Sequence, residues 1–580
     1  MKFILLIFAT VIFFSCGSNE KTEPMKKSSE IKDVVFTDVT TESGIDFVHY
    51  NGAFGKKYFP ETNGAGGGWL DYNGDGWQDV LLIQGSSWPS NPGEKPTLKL
   101  YRNNGNGTFV DATIDAGLDV SVYGMGMAAA DYDNDGDTDV FITCVGENLF
   151  FRNDKGRFTE VGLEAGLADP AWGASAMFFD YDKDGWLDLF VCNYVKWSEE
   201  TDLECSLDGK NKGYCTPEIY EGEPSKLYRN LGDGTFEDVT ASAGVYSDEG
   251  KALGVAMLDF NSDGWLDIAV ANDTQPDFLF ENLGRGEDGV VRFKEVGLFS
   301  GFALDEGGKA RAGMGIDVGM VDTSGEETIF VGNFSNEMIG VYRDLGNGSF
   351  VDRAAVSQIG NPSLLYLTFG LLLFDYDLDF DLDLLGVNGH VQPGIESIQQ
   401  AVRYKQSALL FNNNGEGRFT NVSDRAGEAL TNSVVGRGVA YADYDRDGDQ
   451  DILLTVNNGP AVLLGNDLIR GKILTNVLRV RLEGTTVNKD GIGAVVRATV
   501  DGRRMDQMVK TGSSYLSQSE LTITIATPNG KIDALEVAWP NGDFEEINDA
   551  EPGMEILIKQ GSGISTKQRF SKSDSTSVSH

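Results

Sequence analysis

The chain has 580 residues, 89 of them Asp or Glu against 47 Lys or Arg, and a formal charge of −42. That sign excludes a general electrostatic grip on nucleic acid. A content of 41% hydrophobic and 10% aromatic residues is too apolar for a solvated acidic coil, so the chain can bury a core and the question becomes where its carboxylates sit.

The N-terminus opens with Met1-Lys2 and an apolar run over residues 3–14, the form of an export signal and too short to span a bilayer. The run ends in Ser15-Cys16-Gly17, which resembles the lipobox of bacterial lipoproteins. Residues 1–15 are therefore expected to be a signal peptide and Cys16 the lipidated residue, with an ordinary cleaved signal as the alternative. Residues 16–35, rich in Ser, Lys and Glu, read as a tether. This predicts an exported lipoprotein at the outer membrane or cell surface, or in the periplasm, touching membrane only through its anchor.

A nine-residue motif, Asp-x-[Asp/Asn]-x-Asp-Gly-x-x-Asp, then recurs. Its acidic and amide positions are Asp71, Asn73, Asp75 and Asp79; Asp131, Asp133, Asp135 and Asp139; Asp180, Asp182, Asp184 and Asp188; Asp259, Asn261, Asp263 and Asp267; and Asp443, Asp445, Asp447 and Asp451. A sixth copy keeps Asp375, Asp377, Asp379 and Asp383 but has Phe380 in place of the glycine. Alternating oxygen side chains on a tightly turning loop suit calcium, a hard cation that takes about six to eight oxygens. The seventh position is expected to lend its backbone carbonyl and the glycine to take positive φ, so Phe380 is expected to strain or loosen its loop. A seventh copy has Met320, Asp322, Ser324 and Thr328 at the corresponding positions and is expected to hold no metal. Five to six calcium ions are predicted.

Two further signatures share the period. Leu100-Tyr-Arg-Asn103 with its Asn-Gly turn and Phe109 recurs at Leu227, Val341 and Leu410, and apolar strand, turn and apolar strand make a hairpin. Strands beginning at Phe36, Phe109, Phe158, Phe236, Phe293, Phe350 and Phe419 are out of step with the loops by one unit. Residues 36–40 must then supply the outer strand of the last repeat. The prediction is all-β: a closed seven-bladed β-propeller over 36–470 with four-stranded blades. These residues resemble the FG-GAP (VCBS) repeats of integrin α subunits, and the resemblance implies calcium loops and a role in binding or adhesion.

Downstream, Asn488-Lys-Asp-Gly-Ile-Gly-Ala494, Gly512-Ser-Ser-Tyr-Leu-Ser-Gln518 and Trp539-Pro-Asn-Gly542 resemble the ASPIC/UnbV domain of the cartilage acidic protein 1 family. The His-Phe-Gly-Leu-Gly segment of that family is replaced by Leu521-Thr-Ile-Thr-Ile-Ala526. Five runs of alternating apolar residues predict a compact β domain over 475–560. Residues 561–580 read as a disordered tail.

Calcium enclosed by oxygen ligands has no open site for chemistry, so function is sought on the opposite face. Strand ends there carry Asn193, Asn272, Asn333, Asn388 and Asn457, an amide ring suited to a glycan or protein ligand, the alternative being capping of backbone. His49 and His390, with Glu61, Tyr404 and Arg437, are candidate catalytic residues at one rim of the channel, the alternative being that each histidine satisfies a loop carbonyl. Cys205 and Cys215 are expected to form a disulfide that ties down a lid-like insertion. Cys144 and Cys192 read as buried thiols, with a second disulfide as the alternative. Three functions follow: a surface-anchored calcium-binding module for glycan or protein ligands, a glycan-active exported enzyme around His49 and His390, or an envelope scaffold.

Overall fold

Apolar strands punctuated by Gly- and Asp-rich turns pair in the computed structural model into nine sheets. The structure describes residues 34–206, 209–466, 468 and 474–570. The expected signal segment, Cys16, all but the end of the expected tether and residues 571–580 lie outside the described residues.

Each of the first six repeats lays down its four strands in chain order, beginning with Gly67–Leu70, Asp79–Leu82, Lys99–Asn103 and Phe109–Asp111. The seventh repeat supplies Gly436–Ala442, Asp451–Val456 and Val462–Asn466, and Phe36–Asp38 completes it, Phe36 lying opposite Asn466. Innermost strands of successive repeats touch one another, and Gly436–Ala442 touches Gly67–Leu70, so the series of seven sheets returns on itself. The outer strand swap predicted by the strand count is therefore what joins the two ends of the ring.

Burial explains which residues occupy which strand. Inner strands such as Gly124–Ala130 and Thr368–Phe374 are buried at every residue, because sheets cover both faces, and they are correspondingly small or apolar throughout. Three-residue outer strands bury only their first residue: Phe236 is buried while Glu237 and Asp238 are exposed. In six of the seven blades this Phe packs on the aromatic second loop residue of the preceding blade. Phe236 meets Tyr132, Phe293 meets Tyr181 and Phe109 meets Tyr444, each pair of rings 5.7 Å apart.

The C-terminal region forms two further four-stranded sheets. One contains Gly563–Arg569 paired with Met554–Lys559. The expected tail beginning at 561 is thus corrected: ordered structure runs to Phe570. That strand is an exposed edge with most of its side chains in solvent, so its Ser, Thr and Lys residues carry no apolar alternation to betray it.

The segment 511–519 fills the axis of the propeller. Thr511 Oγ1 bonds both backbone groups of Phe178, Ser514 exchanges backbone bonds with Ile316, and the Gln518 amide bonds both backbone groups of Ala129. Ser517–Gln518 adds a parallel strand to Gly67–Gly68, Tyr515 packs on Phe369 at 4.9 Å, and Ser519 accepts from Tyr441 N–H. A Cβ at Gly512 would lie 3.1 Å from the carbonyl oxygen of Val255. All seven innermost strands are reached. Close approach needs glycine on the ring side: a Cβ at Gly126 would stand 2.9 Å from Leu516 Cα. Leu516, fully buried among these strands, is the test. Leu516→Ala should cost about 3 kcal/mol in urea unfolding of the full chain, whereas Leu163→Ala, at a residue 77% exposed, should stay within about 0.5 kcal/mol. Equal effects would mean that the axial segment is not packed into the ring.

Candidate metal loops and the opposite mouth

In each of the six acidic loops the first Asp turns the chain back on itself. Asp71 accepts the N–H of Asp75 at 3.1 Å and of Gly76 at 2.8 Å, and Asp131, Asp180, Asp259, Asp375 and Asp443 accept the equivalent pair. The ninth residue, Asp79, accepts Tyr72 N–H and, at 2.6 Å, Asn103 N–H. Its counterpart Asp188 does the same with Tyr181 and Asn230. Loop and third strand are thereby held as one unit.

These bonds leave carboxylate oxygens over. Ligand atoms of Asp131, Asp133 and Asp139, of Asp180, Asp182 and Asp188, of Asp375, Asp377 and Asp383, and of Asp443, Asp445 and Asp451 lie within 4.8 Å of one another in each group. Oδ1 of Asp133, Oδ1 of Asp182 and Oδ2 of Asp383 are buried without a hydrogen-bond partner. Clustered carboxylates with unsatisfied oxygens fit a hard cation. Burial, reinforced by neighbouring carboxylates, pushes Asp79 and Asp131 up to about 8 and Asp139 and Asp267 up to about 9. The loops starting at Asp71 and Asp259 offer Asn73 and Asn261 at the third position instead.

Two loops depart from the pattern. Phe380 takes φ +73° yet still donates to Asp375 at 2.9 Å, and its ring is buried, with the guanidinium of Arg503 5.7 Å from its centre. The loop is strained at that residue but not loosened. In the seventh copy Asp322 pairs with Arg343 at 2.7 Å, an internal cation in place of the metal.

Sequence reasoning missed the residue that links neighbouring blades. The asparagine of the third strand in six blades, read only as part of the Leu-Tyr-Arg-Asn strand, sends its amide to the carbonyl of the second loop residue in the preceding blade. Asn103 reaches Tyr444, Asn153 reaches Tyr72, Asn230 reaches Tyr132, Asn282 reaches Tyr181, Asn413 reaches Val321 and Asn466 reaches Tyr376, at 2.8–3.0 Å. Its recurrence in Tyr-Arg-Asn was the available signal. Only the fifth blade, with Asp344 at this position, lacks the amide.

The opposite face corrects the expected amide ring. Asn193, Asn272, Asn333, Asn388 and Asn457 are at most 6% exposed. Their amide nitrogens donate to the backbone carbonyls of Pro224, Pro276, Met338, Ser407 and Glu61. They cap strand ends, because a buried carbonyl without a donor is costly.

At the mouth, Arg437 is fully buried and ties two loops together, with Nε and Nη2 donating to Thr62 O and Nη1 to Gly389 O. His49 Nδ1 accepts Asn458 N–H, and His390 Nδ1 accepts Gln392 N–H. Burial first, then the charge of Arg437, lowers His49 to about 3 and His390 to about 4. Both are therefore weak bases at neutral pH. Cys205 and Cys215 form a disulfide, and the neighbouring Tyr214 donates to Glu61 Oε2 at 2.8 Å and exchanges backbone bonds with the Gln392 amide. Burial raises the Glu61 carboxyl. Tyr404 is half-buried; its carbonyl accepts His390 N–H and its ring lies near Arg437. Cys144 and Cys192 are buried free thiols.

Family models match this chain in two places: the FG-GAP-like repeat over 71–142, 131–191 and 215–270, and the ASPIC and UnbV domain over 484–565. The chain carries FG-GAP-like repeats followed by an ASPIC and UnbV domain. It is homologous to cartilage acidic protein 1, being 23% identical to the human protein over 349 residues, 58% of this chain and 40% of the relative. Against the mouse protein it is 25% identical over 387 residues, 56% of this chain and 57% of the relative. The chain thus spans roughly 40 to 57% of these relatives. Among solved structures it is similar to an Agrocybe aegerita lectin that recognises non-reducing terminal N-acetylglucosamine, with TM-score 0.37, 17% identity, and coverage of 68% of this chain and 86% of that one. It is also similar to BBS1N solved in complex with ARL6DN, with TM-score 0.38, 10% identity, and coverage of 76% and 99%.

Two outcomes check this FG-GAP geometry. Asn282→Ala leaves the carbonyls of Tyr181 and Leu266 without donors and should cost about 3 kcal/mol in urea unfolding; a cost below about 1 kcal/mol would remove the amide from the account. For metal-free protein, aspartates near 8 to 9 when folded and 3.8 otherwise hold more protons in the native state than in the unfolded state. Stability should fall as pH rises through that window. In EDTA the melting temperature should drop from about pH 5 to about pH 9, and saturating calcium should flatten the slope. A flat or rising trend in EDTA would contradict this account of the loops.

Proposed function

We propose that this chain is an exported, envelope- or surface-anchored calcium-binding propeller that acts as a binding module for a glycan or protein ligand. The observation that carries the reading is the recurrence of largely buried carboxylate triads at the same loop positions in four blades. Calcium, one ion in each of the five or six best-preserved loops, neutralises those carboxylates and fixes each blade to its neighbour. Anchoring through Cys16 follows from the Ser15-Cys16-Gly17 sequence.

The ligand site is the mouth opposite the loops, beneath the segment closed by Cys205–Cys215. Beside it lies a cleft of about 470 Å³ lined by Trp172, Trp197, Ile219 and Tyr220, with Glu221 and Glu223. Aromatic faces with a few polar groups suit sugars better than they suit a flat protein surface. The low basicity of His49 and His390 favours binding over acid–base turnover.

Calorimetry against glycan and peptide panels, with calcium and then in EDTA, tests the reading. Calcium removal should lower the melting temperature and abolish binding together. An unchanged melting temperature in EDTA refutes calcium as a structural ion, and no ligand in either panel refutes the binding module.

A further inference from the structure

Lys196, Glu221 and Glu223 bring charge into the aromatic cleft beside the mouth. One wall of the cleft is a short antiparallel ribbon: Val195 pairs with Gly222, Lys196 N–H donates to Glu221 O at 2.9 Å, and Glu223 N–H donates to Tyr194 O at 3.2 Å. Side chains two apart on an extended chain share a face, so Glu221 and Glu223 stand together on the side away from Gly222. The back of the ribbon is closed, because a Cβ at Gly222 would lie 2.0 Å from the carbonyl oxygen of Gly250. Both carboxylates therefore face a space of about 470 Å³. Solvent reaches it, since Ile219 on its rim is 49% exposed.

Lys196 does not satisfy both carboxylates. Its Nζ lies 3.3 Å from Glu221. Glu223 is half-buried, and the other lysine that acts on it, Lys226, is held 2.8 Å from Asp238. Burial raises the Glu223 carboxyl above its ordinary value, so a ligand that brings a positive charge relieves it. The aromatic wall suits the rest of such a ligand. Trp197 is half-buried, its ring set by Nε1 donating to Asp202 at 2.9 Å and standing edge-on to Trp172 at 6.2 Å, and indole faces attract cations. Trp172, only 3% exposed, keeps an Nε1–H without an acceptor. The −42 charge of the chain adds a long-range field that draws cations in and turns anionic sugars away.

We propose that this cleft binds an amino sugar with a free amine, the ammonium group on Glu223 and the sugar ring against Trp197. The inference rests on the reading of the protein as a glycan-binding module and narrows it to cationic sugars: an N-acetylated sugar lacks the charge, and a uronic acid carries the opposite one.

The test is calorimetric titration of the full calcium-loaded chain with the β-1,4-linked disaccharide of D-glucosamine, with cellobiose and with lysyl-lysine, at a pH that keeps the amines protonated. The two sugars share linkage and shape and differ only in the group at C2 of each ring. The glucosamine disaccharide should bind at least about tenfold more tightly than cellobiose, a hydrogen bond between charged groups being stronger than a neutral one. Glu223→Gln keeps the size of the side chain and removes its charge, and should cut that preference about fivefold or more. Glu164→Gln, at an exposed residue outside the cleft, makes the same change in net charge and should leave the preference as it is. Melting temperatures establish that both variants fold. Equal affinity for the two sugars, or a preference that survives Glu223→Gln or falls equally in Glu164→Gln, overturns the ammonium site and leaves a neutral-glycan module standing. Lysyl-lysine binding as tightly as the glucosamine disaccharide overturns the sugar assignment. A chain that binds in the panels but not to the glucosamine disaccharide overturns this inference alone, and one that binds nothing in either experiment overturns both readings.

Discussion

One amide decides how the blades stand next to one another. The asparagine at the end of each third strand lies on its own loop's ninth aspartate through its backbone N–H and reaches the preceding blade's loop through its side chain. The outer-strand phenylalanine packs on the same second loop residue whose carbonyl takes that amide. Polar and apolar contacts thus converge on one junction, repeated around the ring, and each fixes the angle at which the next sheet is presented. The rim that carries His49 and Arg437 is set by these angles, because the two residues come from opposite ends of the ring-forming chain.

The fifth blade shows what happens when that arrangement is altered. Its loop keeps a carboxylate at only one of the four ligand positions, and its third strand ends in Asp344. Protein cations stand in: Arg343 pairs with Asp322, and Lys510, just before the axial segment, pairs with Asp317 and bonds the carbonyl of Val318. Elsewhere the C-terminal domain meets loops directly, Arg479 lying 3.3 Å from Asp443 and Asp490 accepting the N–H of Asp131. The excess negative charge of the propeller is therefore also the surface on which the basic side chains of the second domain settle.

Much of this was legible from residues alone. Period, loop chemistry and the out-of-step Phe strands dictate the ring and its swapped closure, because they are local patterns repeated many times. The Cys205–Cys215 pairing followed from the spacing of two cysteines in a chain expected to be exported. What stayed hidden depends on single long-range contacts. Gly512 to Gln518 could be picked out as a motif, yet nothing in its composition says that it leaves its own domain to fill another's axis. Capping by Asn193 and Asn388 looks the same in sequence as a ligand-facing amide, since both use the same side chain at a strand end. The Gly563–Arg569 strand is polar because it is an edge.

Closure by Phe36–Asp38 carries a consequence in time. A chain emerging N-terminus first presents this strand hundreds of residues before its partner Val462–Asn466 exists, and the axial segment comes later still. Until then the first segment is an unpaired edge, and the nearly finished ring is an open arc with two raw ends. Non-local pairings of this span slow folding. The last steps of synthesis, not the first, are when the molecule commits to its shape, and a chain cut short at any earlier point is left with no means of sealing itself.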